Sequence, residues 1–192
     1  RSHEAASQFP KEKVVFAGNP RAQQVANMKS TFKWSDVGPQ DGELTVLIFG
    51  GSQGAPAINK AVIGAVSELN IRQYQVVFVT GQKRYQNVMN LPDKTRISSN
   101  IKILQHINNM QQVLPKVSLI VGRSGATSIA EITALGIPAV LIPSPYVTAD
   151  HQTKNTMSLV NRGAALMIKH DDLNPKSLLK AVDQLMHDST RS

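Results

Sequence analysis

The chain has 192 residues, of which 41% are hydrophobic, a size and composition that suit one α/β domain with its linkers better than two complete domains. It contains no cysteine, which excludes a disulfide framework and a thiolate metal site and fits a reducing cytosolic compartment. Its formal net charge of +8 favours anionic partners, although the cations are scattered along the chain. The apolar runs are too short to span a bilayer, so we expect a soluble polypeptide.

Short β-branched runs alternate with helical patterns along most of the chain. The six runs are residues 44–49, 75–80, 101–104, 119–121, 139–142 and 165–168. A helical apolar stripe follows the first run from Ile58 to Leu69, with Pro56 in its first turn. Further helices are predicted at residues 83–90, 109–114, 128–135, 152–162 and 175–186. This alternation predicts βα units and a parallel sheet, that is, an α/β fold.

The first forty residues do not follow this pattern. Residues 13–17 have the composition of one more strand, but Gly18-Asn19-Pro20 and the polar stretch 29–43 interrupt any direct pairing. We therefore predict that residues 1–40 are the end of a preceding domain and an interdomain linker. Residues 41–192 are predicted to form the compact domain.

Residues 50–55, Gly-Gly-Ser-Gln-Gly-Ala, join the first predicted strand to its helix. Their glycines let main-chain amides approach a ligand closely, and a helix N-terminus at this place would attract a phosphate. Ser52 adds a hydroxyl donor. The loop has neither the Gly-Lys-Ser/Thr of a Walker motif nor the spacing of the dinucleotide fingerprint. A tight turn that binds nothing is the alternative interpretation.

Residues 122–131, Gly-Arg-Ser-Gly-Ala-Thr-Ser-Ile-Ala-Glu, repeat the design of strand, small-residue loop and helix. Two such loops at the carboxyl ends of parallel strands would face one crevice, where open α/β sheets bind ligands. Glu131 falls in the first turns of the helix, where its carboxylate can accept hydrogen bonds from two ribose hydroxyls. Alternatively, Glu131 only stabilises the N-terminal part of that helix.

A third polar segment follows the strand at 139–142 and leads into another helix. It runs from Pro143-Ser144-Pro145 to residues 150–155, Asp-His-Gln-Thr-Lys-Asn. Its amide and imidazole groups could bind a hydroxyl-rich sugar. In the alternative interpretation Asp150 is a helix N-cap and Gln152 a solvated residue of the first turn.

Taken in order, these segments resemble the C-terminal half of the MurG family of glycosyltransferases. The resemblance covers nearly the whole chain, through residues 16–20, 50–55, 123–131, 136–139, 151–155 and 163–165. It implies the GT-B arrangement of two facing Rossmann-like domains with parallel sheets and flanking helices. This chain would supply the half that binds the donor, UDP-N-acetylglucosamine.

The resemblance also implies roles for individual residues. Ser52 would contact the diphosphate, and Ile107 would hold uracil through its main-chain groups, although simple packing is the alternative for its side chain. Glu131 would bind the ribose hydroxyls. The turn that faces the phosphates would include Ala126, Thr127 and Ser128.

Three more residues complete the implied donor site. Gln152 and His151 would meet the hydroxyls of N-acetylglucosamine. Arg21 would contact the nucleotide, but many relatives place this arginine one residue later, where the chain has Ala22. That departure leaves the reach of Arg21 open.

By the same resemblance, the acceptor is a lipid-linked muramoyl-pentapeptide, transfer inverts the anomeric carbon, and neither a metal nor a cofactor is needed. The catalytic base, the acceptor loop and the surface that meets the cytoplasmic membrane would belong to the other half, so we expect this chain alone to be inactive. The five histidines lack the spacing of a metal site.

Two other function classes remain open at this point. One is a fragment of a UDP-N-acetylglucosamine 2-epimerase, which has a similar architecture. The other is a non-catalytic basic module that binds nucleic acid, although the few aromatic residues form no stacking stripe and we expect no nucleic-acid partner.

Overall fold

A computed structural model of the chain describes residues 27–51, 53–90, 97–146 and 151–189. The strands within these ranges are β1 (Thr45–Phe49), β2 (Gln75–Val79), β3 (Ile101–Leu104), β4 (Leu119–Gly122), β5 (Ala139–Leu141) and β6 (Ala165–Met167). They form one sheet in the order β3-β2-β1-β4-β5-β6, in which neighbouring strands are parallel. This order confirms the predicted Rossmann-like α/β fold.

The strands are connected by helices in the same described ranges. These are α1 (Pro56–Gly64), α2 (Val66–Leu69), α3 (Tyr85–Met89), α4 (Met110–Val113), α5 (Ala126–Leu135), α6 (His151–Val160) and α7 (Pro175–Ser189). Short 3-10 helices cover Trp34–Asp36, Leu114–Lys116 and His170–Asp172. As far as these ranges extend, no helix has both the length and the apolar character needed to cross a membrane.

Several helix boundaries differ from the prediction by one to three residues, and two of the differences have a visible local cause. The single helix expected from Ile58 to Leu69 is interrupted at Ala65, whose N–H bonds to the carbonyl of Val62 three residues back and so tightens the turn. The helix predicted to start at residue 128 begins at Ala126, because the extended conformation of the preceding glycine already ends the loop. The earlier start puts residues 127 and 128 in the first turn of α5.

The sheet is buried on both faces because side chains alternate along each strand. On one face, Val46 and Ile48 of β1 pack with side chains from α1, α2 and α7. On the other face, Leu47 belongs to a second core with Ile132 of α5 and Leu159 of α6. Helices therefore cover both faces of the sheet. The edge at the carboxyl ends of the strands is formed by loops.

The segment before β1 packs on the second face, although its polar composition predicts a linker. Trp34 is only 2% exposed, and its indole N–H donates to the Lys116 carbonyl at 3.0 Å. The main-chain N–H of Trp34 donates to Asp41 at 2.6 Å, and Gln112 accepts from the N–H of Thr31 at 2.9 Å. The domain boundary at residue 41 stays a prediction, but the core of this fold includes Trp34.

We expect Trp34→Ala to lower the free energy of unfolding by about 3–5 kcal/mol, because it removes a large buried side chain and leaves a cavity. Urea unfolding followed by circular dichroism measures this loss, since Trp34 is the chain's one tryptophan and its fluorescence disappears with it. Ile71→Ala is the control, because Ile71 is 76% exposed and its loss should change stability by about 0.5 kcal/mol or less. Equal effects for the two variants would contradict the packing of this segment.

Candidate functional site

The carboxyl ends of β1 and β4 lie side by side in the middle of the sheet, where Phe49 pairs with Gly122. From β1 the chain continues through α1 on one face, and from β4 it continues through α5 on the other. A crevice therefore opens between the two loops, at the place where open α/β sheets bind ligands. The close pairing needs a glycine, since a Cβ on Gly122 would lie 2.7 Å from the Phe49 carbonyl oxygen.

The loop after β1 is folded tightly against the loop after β2. The N–H of Gly54 donates to the Gly51 carbonyl at 2.9 Å, and a Cβ on Gly54 would lie 2.2 Å from the Thr80 carbonyl oxygen. α1 begins directly afterwards, and its N-cap, Ala55, offers no side-chain acceptor. The first-turn N–H groups of α1 are therefore left for solvent or a ligand. Ser52, predicted to contact phosphate, lies outside the described residues.

On the other side of the crevice, α5 has a second uncapped N-terminus. Its N-cap, Gly125, is extended at φ −64° and ψ 143° and has no side chain to accept a hydrogen bond. The Ile129 N–H bonds back to the Gly125 carbonyl at 3.0 Å, but those of Thr127 and Ser128 have no partner within the described ranges. Free N–H groups and the aligned peptide dipoles make this end of α5 attractive to an anion.

A cavity of about 390 Å³ lies beside the first two turns of α5. Its wall includes Phe49, Asn109, Gln111, Thr127, Ser128 and Glu131. The Glu131 side chain is only 8% exposed, and no described residue forms a hydrogen bond or an ion pair with it. The residue as a whole is buried, but its carboxylate oxygens remain accessible. They can therefore accept hydrogen bonds from a ligand that brings hydroxyl donors to this place.

Ile107 lies in the turn between β3 and α4, next to the residues of the cavity wall. Its side chain is partly buried against the second core, while its main-chain N–H and C=O have no partner in the part of the chain that is described. Close by, Asn109 has a left-handed backbone with φ 54°. The turn is thus anchored by one apolar side chain and leaves main-chain groups available, as the predicted role of Ile107 requires.

Two residues of the second motif serve the structure of the loops. Arg123 donates to the carbonyls of Ile142 and Pro143 at 3.2 and 3.0 Å, and its burial lowers the pKa of the guanidinium. The fully buried hydroxyl of Ser124 shares a 2.6 Å hydrogen bond with Thr156 of α6. These bonds connect the loop after β4 to the segment after β5 and to α6.

Gln152 already has one partner in this structure. Its Oε1 accepts the main-chain N–H of Ser144 at 2.9 Å, whereas its Nε2 has no partner among the described residues. The side chain of His151, at the start of α6, lies outside the described part, as do Asp150 and Arg21.

The structure thus brings Thr127, Ser128 and Glu131 to one cavity, with the turn of Ile107 beside them. Sequence reasoning did not find Phe49, Asn109 or Gln111 in the wall of this cavity. Only Asn109 carries a signal, because asparagine is one of the few residues enriched in the left-handed conformation. In the ranges that the structure describes, no group of three or more His, Cys, Asp or Glu could hold a metal ion.

The chain is similar in sequence to bacterial transferases. The chain is 61% identical over 190 residues to the UDP-N-acetylglucosamine--N-acetylmuramyl-(pentapeptide) pyrophosphoryl-undecaprenol N-acetylglucosamine transferase of Leuconostoc citreum, and 55% identical over 186 residues to that of Lactiplantibacillus plantarum. The alignments cover 98% and 97% of this chain but 52% and 51% of those proteins. The chain therefore spans about half the length of these relatives.

Two solved structures also match this chain over about half of their own length. MurG of Acinetobacter baumannii superposes with a TM-score of 0.68 at 27% identity, over 84% of this chain and 46% of that one. A putative UDP-N-acetylglucosamine 2-epimerase from Listeria monocytogenes superposes with a TM-score of 0.63 over 96% of this chain and 48% of its own, but at 14% identity the likeness concerns the fold alone. Residues 45–192 match the model of the glycosyltransferase family 28 C-terminal domain, and the chain therefore belongs to that family.

Proposed function

We propose that this chain is the donor-binding half of an inverting hexosaminyltransferase, which moves N-acetylglucosamine from UDP-N-acetylglucosamine to a lipid-linked muramoyl-pentapeptide in peptidoglycan synthesis. The observation that carries the proposal is the buried, unpartnered Glu131 in a cavity beside the uncapped N-terminus of α5. The relatives at 61% and 55% identity bear the name of this activity. An epimerase is supported only by fold likeness to structures at 14% and 18% identity, and we do not favour it.

In the proposed complex the nucleotide lies across the crevice between α1 and α5. The carboxylate of Glu131 accepts hydrogen bonds from the two ribose hydroxyls, and the turn of Ile107 holds uracil through main-chain groups. The diphosphate meets Ser52 and the free N–H groups at the start of α5, at Ala126, Thr127 and Ser128. Each assignment pairs a ligand group with a protein group of complementary hydrogen-bonding character.

The sugar would extend from the diphosphate toward the start of α6. There Gln152 can donate through Nε2, since its Oε1 is held by Ser144. We assign a second sugar contact to His151 and a nucleotide contact to Arg21, both on the basis of the family resemblance.

During transfer, a hydroxyl oxygen of the acceptor forms a bond to the anomeric carbon, and the bond from that carbon to the β-phosphate oxygen breaks. The hydroxyl proton passes to a base in the other half of the enzyme, and UDP leaves with added negative charge. The N-termini of α1 and α5 stabilise that charge because their N–H groups are already oriented. The scheme uses no cofactor and no metal.

We further propose that the complete enzyme works as a peripheral protein at the cytoplasmic face of the bacterial membrane, where its lipid-linked acceptor is held, and so contributes to cell-wall growth, cell shape and division. The net charge of +8 on this half alone would favour an anionic lipid surface. We expect no nucleic-acid partner.

We expect Glu131→Ala to weaken UDP binding by about 1.5–3 kcal/mol, the range for hydrogen bonds to a charged group. Titration calorimetry on folded protein measures this change. Glu68→Ala is the matched control, because Glu68 is an exposed acid on α2 and its removal changes the net charge equally. Unchanged affinity in Glu131→Ala would reject the ribose contact.

Gly51→Val should reduce UDP binding more than Ser52→Ala. Gly51 has φ +95° and open space around its missing Cβ, so valine would strain the backbone and fill the approach of the phosphates. Ser52→Ala removes only one hydroxyl, worth about 0.5–1.5 kcal/mol. Gly42→Val controls for the strain, since Gly42 has φ +85° and the same open surroundings. If Gly51→Val binds UDP as tightly as Gly42→Val does, the phosphate assignment is wrong.

The chain by itself should bind UDP or UDP-N-acetylglucosamine but should not transfer the sugar, because the acceptor is not positioned without the other half. One preparation is used for an NMR titration with the nucleotides and for a radiolabelled-sugar transfer assay with the lipid acceptor. Adding the separately expressed other half should restore transfer. Turnover by this chain alone would refute the half-enzyme proposal, and absence of nucleotide binding would refute the donor-domain proposal.

A further inference from the structure

We infer that Arg123 is a positioning residue for the donor sugar. By holding residues 142–146 in place, it raises the affinity of the chain for UDP-N-acetylglucosamine but not for UDP. The inference rests on the proposed function and deepens it, because it assigns sugar recognition to a group that need not touch the ligand.

Two separate parts of the chain contact the half-buried guanidinium of Arg123. Its Nη1 donates to the carbonyls of Ile142 and Pro143 at 3.2 and 3.0 Å, directly after β5. Nη1 and Nη2 lie 3.4 and 3.5 Å from Nδ1 of His170, in the 3-10 helix after β6. The ring of Tyr146 packs edge-on against His170 with centroids 6.0 Å apart. Arg123 thus binds the start of the segment 142–146 directly and meets its end only through the ring of His170, against which the exposed Tyr146 packs.

This segment also orients Gln152. Ser144 stands between the carbonyls that Arg123 binds and the ring of Tyr146, and its N–H is the group that holds Gln152 Oε1 at 2.9 Å. The Ser144 hydroxyl accepts the N–H of Tyr146 at 3.4 Å, which closes the turn. Releasing the two carbonyls from Arg123 would therefore shift Ser144 and, with it, the amide nitrogen that we assign to the sugar.

The phosphate-facing turn is held by different bonds. Ser124 is fully buried and bonded to Thr156 at 2.6 Å, and the extended Gly125 starts α5 without help from any side chain. Glu131 lies farther along the same helix. The loss of Arg123 should therefore affect the sugar and leave the nucleotide contacts in place.

The test measures the affinities of UDP and UDP-N-acetylglucosamine for the parent chain, Arg123→Ala, Arg123→Lys and the control Arg162→Ala, which removes an exposed cation of the same charge. We expect both Arg123 variants to lose about fivefold or more in affinity for the nucleotide sugar, the size of one hydrogen bond, with UDP affinity unchanged. Lysine should not substitute, because a point charge cannot reproduce the planar fork. Arg162→Ala should change neither affinity.

A Gln152→Ala variant and its combination with Arg123→Lys complete the cycle. If Arg123 acts through Gln152, Arg123→Lys should cause no further loss once Gln152 is gone. Three outcomes would each overturn the inference. They are equal losses of affinity for UDP and UDP-N-acetylglucosamine, parental affinity for both ligands in Arg123→Lys, and additive losses of affinity in the double variant. Thermal unfolding is recorded for every variant, and if Arg123→Ala does not fold, Arg123→Lys decides. Failure of the parent to bind UDP would instead refute the proposed function.

Discussion

The contact between the ends of β1 and β4 is the constraint on which the site depends. Gly122 lets β4 approach the Phe49 carbonyl to a distance that any side chain would prevent. Because the chain leaves these two strands toward opposite faces of the sheet, the N-termini of α1 and α5 open onto one crevice. A wider separation of the strands would place the two helix ends too far apart to act on the same ligand.

The positive N-terminal end of α5 and the carboxylate of Glu131 suit a ligand that has an anionic group at one end and hydroxyl groups at the other. The uncapped N-terminus at Gly125 attracts an anion, whereas Glu131 would repel one. Glu131 lies six residues after Gly125, or about 9 Å along the helix axis. In a nucleotide, the phosphates and the ribose hydroxyls are a comparable distance apart. The N-terminus of α5 can therefore attract the phosphates while the Glu131 carboxylate accepts hydrogen bonds from the ribose. The accessible carboxylate oxygens of Glu131 can accept hydrogen bonds from hydroxyl donors.

The two cores fix the position of the strand that precedes the first loop. Alternate residues of β1 enter different cores, so a slip of the strand by one residue would exchange the two sets and disrupt the packing of both cores. Trp34 adds the segment before β1 to the second core, through the same stretch of chain that contains Gln112 and Lys116. The turn of Ile107 and Asn109 precedes that stretch directly, which connects the packing of the segment to one wall of the cavity.

The sequence by itself determined the strand and helix order, the two small-residue loops and the family, because period-two and period-3.6 patterns and glycine-rich turns are local properties of the chain. It also led to Glu131 through its position after such a loop, and to Thr127 and Ser128 through the family resemblance. Only the tertiary structure decided that Trp34 is core, that Asn109 and Gln111 line the cavity, and that Arg123 faces two carbonyls. These depend on contacts between segments distant in sequence, for which composition and spacing carry no signal.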